Sequence, residues 1–282
     1  MSNFWARTIT GLSMVFILLA GLYFNEWIFA TLFFVVSVLG ILEFYKIVSS
    51  ETCHPQKSFG VITGILLYIS ITTVHYVYIS ADNFELFFLP FFLSIPIFFL
   101  PFIIEIYRKK PQPLTNIAFT ILPIFYIALP LALLNVMNDK EALHFIGFPI
   151  FLTGYFILTW SYDTVAYLYG KQFGKHKLFE RISPKKTWEG TIAGSVIALL
   201  IATGFFFLVK AINLVDWYAL TFLVLIFGTF GDLVESLLKR NLNIKDSGSI
   251  LPGHGGILDR FDTIFISAPF VFLYFIIRFP YS

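Results

Sequence analysis

Charge is scarce in this chain. Of its 282 residues, 13% are Asp, Glu, Lys or Arg and 58% are hydrophobic. A soluble domain is about 25% charged and under half apolar. So little polar surface cannot cover a water-soluble globule, and the surplus apolar residues must face lipid. The apolar runs also leave no room for a separate soluble domain of roughly 100 residues. Cysteine is nearly absent. Cys53 stands alone, which excludes an intramolecular disulfide. Cys53 and His54 together fall short of a zinc site, which needs about four ligands at defined spacings. No cleavable signal is evident, because the first run, Ile9 to Phe24, lacks a small-x-small cleavage site and reads as a retained span. There is no internal repeat, no low-complexity tract and none of the alternation of a β-barrel strand. No nucleic-acid partner is expected.

What is present is a series of long apolar runs. A transmembrane helix needs about 20 mostly apolar residues. Nine stretches qualify, near 8–24, 27–48, 59–80, 84–106, 115–137, 148–170, 190–210, 217–238 and 263–280. The fourth holds Pro90, Pro96 and Pro101 and is expected to be kinked or re-entrant; the fifth holds Pro123 and Pro130. The predicted fold is an all-α integral membrane protein, a polytopic bundle of about nine transmembrane helices with a cytoplasm-facing polar cavity. Residues 1–140 are expected to form a lipid-facing scaffold and 141–282 to carry the catalytic loops, within one integrated membrane unit.

Basic residues favour cytoplasmic loops. With nine spans and a cytoplasmic N-terminus, sixteen of the nineteen Lys and Arg residues fall on the cytoplasmic side; Lys140, Lys210 and Arg278 do not. Removing one interior span destroys this segregation. The expected location is a bacterial plasma membrane, with both polar loops, 171–189 and 239–262, in the cytoplasm. Loops that concentrate polarity in this way usually carry function.

The first polar constellation is SYDTVAYLYGKQFGKHKLFERISPKKTWEG, residues 161–190. Asp163 lies near the end of the sixth span. An ionisable group inside a span costs roughly 2.5–3.5 kcal/mol on insertion scales, which points to a functional or paired role; the alternative is an interfacial Asp wetted by headgroups. Ser183 followed by Pro184 reads as a helix start, with Ser as N-cap and Pro at the first helical position. That reading puts Lys185 and Lys186 in the first turn, where the helix dipole disfavours cations unless an anion binds there. A basic membrane-surface anchor is the competing reading.

The second constellation is GDLVESLLKRNLNIKDSGSILPGHGGILDRFD, residues 231–262. Asp232, Glu235, Ser236 and Lys239 share one helical face. After Lys245 and Asp246 comes a Gly-rich turn, Gly253, His254, Gly255 and Gly256, of the kind that turns backbone amides toward phosphate. His254 either contacts phosphate or shapes the turn. Asp259 and Asp262 follow, with Arg260 between them. Carboxylates at helix ends can hold hard divalent cations, and Lys and Arg can neutralise phosphates. The ensemble points to metal-assisted phosphoryl or nucleotidyl transfer.

The run SLLKRNLNIKDSGSILPGHGGILDRFD resembles the signature of the phosphatidate cytidylyltransferase (CDP-diglyceride synthase) family, and DTVAYLYG and SPKKTWEG resemble other segments of it. The resemblance is strong over about 160–265 and extends to the N-terminal half only in hydropathy. It implies an all-helical membrane enzyme, typically a homodimer, that makes CDP-diacylglycerol from CTP and phosphatidate. It further implies that Asp232 and Asp259 hold the metals, read as Mg²⁺ in a two-cation site. Lys239, Arg240, Lys245 and Arg260 are candidates for phosphate contacts, with Asp246, His254 and Asp262 as further catalytic candidates. Asp163, Ser183, Lys185, Lys186, Ser236, Gly253, Gly255 and Gly256 are candidates for substrate binding. A CTP-dependent polyprenol kinase would use similar parts but must deprotonate a hydroxyl, and no base stands apart from the metal cluster. A secondary transporter would show paired halves and midplane polar groups, whereas here the polar groups collect at one face.

Overall fold

A computed structural model describes residues 3–78, 95–138, 149–250 and 255–279. Among these residues the chain forms nine helical rods in the expected order and one small hairpin. The rods are α1 (Asn3–Tyr23), α2 (Glu26–Val48), α3 (Lys57–Tyr78), α4 (Leu100–Arg108), α5 (Pro113–Val136), α6 (Ile150–Phe173), α7 (Trp188–Leu208), α8 (Leu214–Asn241) and α9 (Leu258–Arg278). Between α6 and α7 lie the antiparallel strands β1 (Lys177–Phe179) and β2 (Ser183–Thr187). Five helices, α2, α5, α7, α8 and α9, are long and apolar enough to cross a membrane. The protein is an all-α, multi-pass membrane protein. Of the fourth expected span, only the C-terminal part lies within the described residues.

Two of the rods change pitch partway. In α5 a wide turn at Ile124–Ala128 precedes Pro130, whose missing N–H breaks the regular ladder. In α8 a similar wide turn at Val224–Gly228 immediately precedes the polar stretch that starts at Gly231.

The chain divides into two compact units, residues 1–139 with 244–261, and residues 140–243 with 262–282. In the first unit, α2 supplies the central face. Its Phe29, Phe33, Ile41 and Phe44 are buried, as are Ile124, Ile127 and Leu131 of α5. Polar atoms inside this apolar packing are tied down locally. Tyr45 donates to the Thr120 carbonyl at 2.6 Å and Tyr68 to the Ala30 carbonyl at 2.7 Å. The buried Glu105 carboxylate accepts from Gln56, Asn116 and Arg108 at 2.7–2.8 Å, which ties α4 to the 53–57 loop and to α5.

In the second unit, α6 packs on α7 and meets α8 and α9 through hydroxyl pairs. Tyr155 bonds Ser267 at 2.7 Å and Tyr162 bonds Thr229 at 2.6 Å. At the far end of α9, Asp216 of α8 accepts from Tyr274 at 2.6 Å and Arg278 at 2.7 Å. Arg278 lies about 24 Å along the helix from Asp262, at 1.5 Å per residue.

Candidate active site

The second unit gathers charged residues from four elements. Asp163 projects from α6, Asp232 and Glu235 from α8, Asp262 from α9 and Lys186 from β2. Gly231 makes the α8–α9 approach possible: a Cβ there would lie 2.4 Å from the Asp262 carbonyl oxygen. The Lys186 Nζ sits 2.6 Å from Asp232 Oδ2, and Ser236 donates to the other oxygen, Oδ1, at 3.2 Å. Glu235, almost wholly buried, pairs with Lys239 one turn along α8. The shared face expected for Asp232, Glu235, Ser236 and Lys239 is therefore present, and its members bond one another. Thr263 binds two of the carboxylates, donating its hydroxyl to Asp163 at 3.2 Å and its amide to Asp262 at 2.8 Å. Asp262 feels the charges of Asp232, Asp163 and Glu235.

The reading of Ser183 and Pro184 as a helix start is corrected by the structure. Ser183–Thr187 is a strand paired with β1, and the helix begins at Trp188. Thr187 is the N-cap and accepts from the Gly190 amide at 3.3 Å. Ser183 loses to Thr187 because the latter stands directly before the apolar run, with Glu189 in the first turn to complement the dipole. Glu189 also accepts from the amides of Lys175 and His176 and from the His176 ring at 2.6 Å, which closes the hairpin onto α7. An extended strand sends successive side chains to opposite faces. Lys185 is accordingly exposed and Lys186 turns inward. Burial opposes the charge on Lys186, but Asp232, then Asp163, more than offset it and hold the ammonium pKa above its usual value. The surrounding of Lys186 is acidic and favours its charged form.

The first unit holds the other half of the signature. Asp259 Oδ2 accepts from the Ser247 amide, the Ser247 hydroxyl and the Gly256 amide, each at 3.0 Å. Beneath this turn lies Glu43 of α2, a residue that sequence reasoning passed over. Its carboxylate accepts from the amides of Ile257 at 3.0 Å and Leu258 at 3.1 Å, and from the Ser247 hydroxyl. It caps α9. Gly256 is required here: a Cβ would come within 2.1 Å of Glu43 Oε1. Gly255 adopts φ +95°, open to glycine alone at low cost. The missed signal was an acid inside an apolar span, the same cue that singled out Asp163.

The remaining candidates lie nearer solvent. Arg240, Lys245, Asp246 and Arg260 are exposed, while Gly253 and His254 lie outside the described residues. Asp232 and Asp259 belong to different units. Around Lys186 the donor set consists of carboxylate oxygens, the chemistry magnesium prefers. Four carboxylates, Asp163, Asp232, Glu235 and Asp262, face two ammonium groups, Lys186 and Lys239, so the cluster favours added positive charge. Among the described residues no three His, Cys, Asp or Glu side chains form a ready ligand set. The cluster therefore offers the charge and the oxygen donors a divalent cation prefers, without a ligand set already gathered among the described residues.

The sequence model of the cytidylyltransferase family matches residues 5–278. The chain is 52% identical over 123 residues to a phosphatidate cytidylyltransferase of Bacillus subtilis (strain 168), a stretch covering 43% of this chain and 45% of that protein. It is 42% identical over 154 residues to a phosphatidate cytidylyltransferase of Staphylococcus aureus (strain COL), covering 54% and 56% respectively. A relative of the same name in Staphylococcus haemolyticus (strain JCSC1435) is also 42% identical over 154 residues. The chain spans about half the length of the curated relatives it matches.

Proposed function

We propose that this chain, which belongs to the cytidylyltransferase family, joins CTP to phosphatidate to give CDP-diacylglycerol and pyrophosphate. The relatives named for that activity support the reading. The observation that carries it is the pairing of Lys186, on the SPKKTWEG hairpin, with Asp232, at the head of the second signature segment. A half-buried cation held among carboxylates is what two polyanionic substrates require.

In the reaction a phosphate oxygen of phosphatidate attacks the α-phosphorus of CTP. A new P–O bond forms, the bond to the bridging α–β oxygen breaks, and pyrophosphate leaves with that electron pair. The nucleophile is already an anion, so no general base is needed. The barrier is the mutual repulsion of two anions, which fixed positive charge and alignment lower. Lys186 exchanges its contact with Asp232 for a substrate phosphate, and Lys239, held by Glu235, sets the charge one turn further along. Asp232 and Asp259 would each offer carboxylate oxygens to magnesium, Asp232 with Asp163 and Asp262 beside it, and the ion would neutralise phosphate charge. Arg240 and Lys245 are exposed cations that can meet phosphate, and Arg260 is a further candidate for a phosphate contact.

We place the N-terminus and both motif loops in the cytoplasm, where CTP is found. The skew of basic residues toward those loops supports this.

The deciding experiment supplies the purified protein with phosphatidate, Mg²⁺ and CTP labelled on either the α- or the γ-phosphorus. Label from the α position is expected in the lipid fraction, and label from the γ position in pyrophosphate. Entry of γ-label into lipid with release of CDP would identify a lipid kinase instead.

A further inference from the structure

Glu43 is an acid in an apolar helix, 2% exposed, and the reaction gives it no chemical task. Its bonds point one way, toward the segment that precedes α9. It takes the two first amides of that helix and the Ser247 hydroxyl. Asp259 grips the same serine from the other side, through both its amide and its hydroxyl. Ser247 has one hydroxyl proton and two carboxylates within reach, so the Ser247 side chain couples Glu43 to Asp259. Gly248 and Gly256 leave the space for this: a Cβ at either would come within 2.6 Å or 2.1 Å of a Glu43 oxygen. A helix cap alone needs only one acceptor and no link to a second carboxylate.

We infer that Glu43 is a positioning residue for the reaction: through Ser247 and the amides of Ile257 and Leu258 it sets the orientation of Asp259 and of the segment that carries Lys245 and Asp246. The substrates in this inference rest on the cytidylyltransferase reading, whereas the clasp itself does not. The carboxylate of Asp259 can serve substrate or cation only if its side chain is held in one arrangement, and the Glu43–Ser247 link supplies that restraint from the far side of the turn.

The test compares wild-type protein with Glu43→Ala, Glu43→Gln and Ser247→Ala, by amide hydrogen exchange and by steady-state kinetics normalised to folded protein. Removing a capping acceptor opens a helix end by roughly tenfold. Exchange at the Ile257 and Leu258 amides is therefore expected to rise about tenfold in Glu43→Ala and less in Glu43→Gln, which keeps one acceptor oxygen. Misplacing a reacting group lowers turnover more than affinity, so kcat should fall by about tenfold or more while KM for CTP stays within about threefold. Ser247→Ala should lower kcat while leaving those two amides protected. Faster exchange in Glu43→Ala with wild-type kcat would reduce Glu43 to a structural cap and overturn the inference, and unchanged exchange would overturn the clasp. Should Glu43→Ala fail to accumulate, Glu43→Gln carries both readouts. A wild-type protein that transfers no α-label would instead overturn the cytidylyltransferase reading, with the exchange data still deciding the clasp.

Discussion

The Lys186 ammonium lies 2.6 Å from Asp232 Oδ2, while its neighbour Lys185 is exposed on the other face of the same strand. Two adjacent lysines thus have different surroundings and are expected to differ in effect. Losing a close charge contact to substrate costs roughly 3 kcal/mol, so Lys186→Ala should lower kcat/KM by about a hundredfold. Lys185→Ala should stay within about threefold, as for an exposed charge. Added salt should widen the Lys186→Ala defect, because screening weakens the contacts that remain. Equal losses in the two variants would contradict the hairpin geometry. The raised pKa of Lys186 keeps the pair intact through neutral pH, and it weakens only as pH climbs past the ordinary lysine value of about 10.4.

Asp232→Asn is expected to leave the protein folded and to slow turnover by about a thousandfold, equivalent to roughly 4 kcal/mol of transition-state stabilisation. Asp259→Asn should be comparably slow, and raising Mg²⁺ should rescue neither. Kinetics on monodisperse protein checks both; retention of more than about a tenth of the activity in both variants would remove these residues from the metal assignment.

The orientation predicts the outcome of labelling intact cells with an impermeant thiol reagent. Single cysteines at Lys185 and Ser249, both exposed, should be protected, whereas one at Lys210 should react. The native Cys53 is buried and gives a low background. Labelling at Lys185 or Ser249 would reverse the topology.

At the opposite end of α9, Arg278→Ala removes the charged donor from the buried Asp216 carboxylate and leaves Tyr274 and Asn213. Thermal unfolding should show a lower midpoint with kcat unchanged, since this cluster holds α8 to α9 far from Lys186.

The five long helices were legible because their hydrophobic runs match the length that a bilayer demands, and the shared face of Asp232, Glu235, Ser236 and Lys239 followed from helical spacing. The hairpin was not. Ser183 before a proline and Thr187 before Trp188 are both good caps, and local preference cannot rank them when strand pairing with Lys177–Phe179 decides the outcome. The Lys186–Asp232 contact is invisible for another reason: periodicity reports neighbours three or four residues apart, never partners on separate elements. Glu43 could have been noticed from its own span, but its purpose could not, since the donors it accepts belong to a loop more than 200 positions away.

The hairpin that carries Lys186 is not a regular ladder. Its pairing shifts register between Lys177 and Phe179, and Pro184 and Lys185 both face solvent while Lys186 and Thr187 are both drawn in. An irregularity of this kind re-aims side chains that strict alternation would send elsewhere. The aim of the Lys186 ammonium is therefore written partly in β1, a strand that carries none of the site's charges itself.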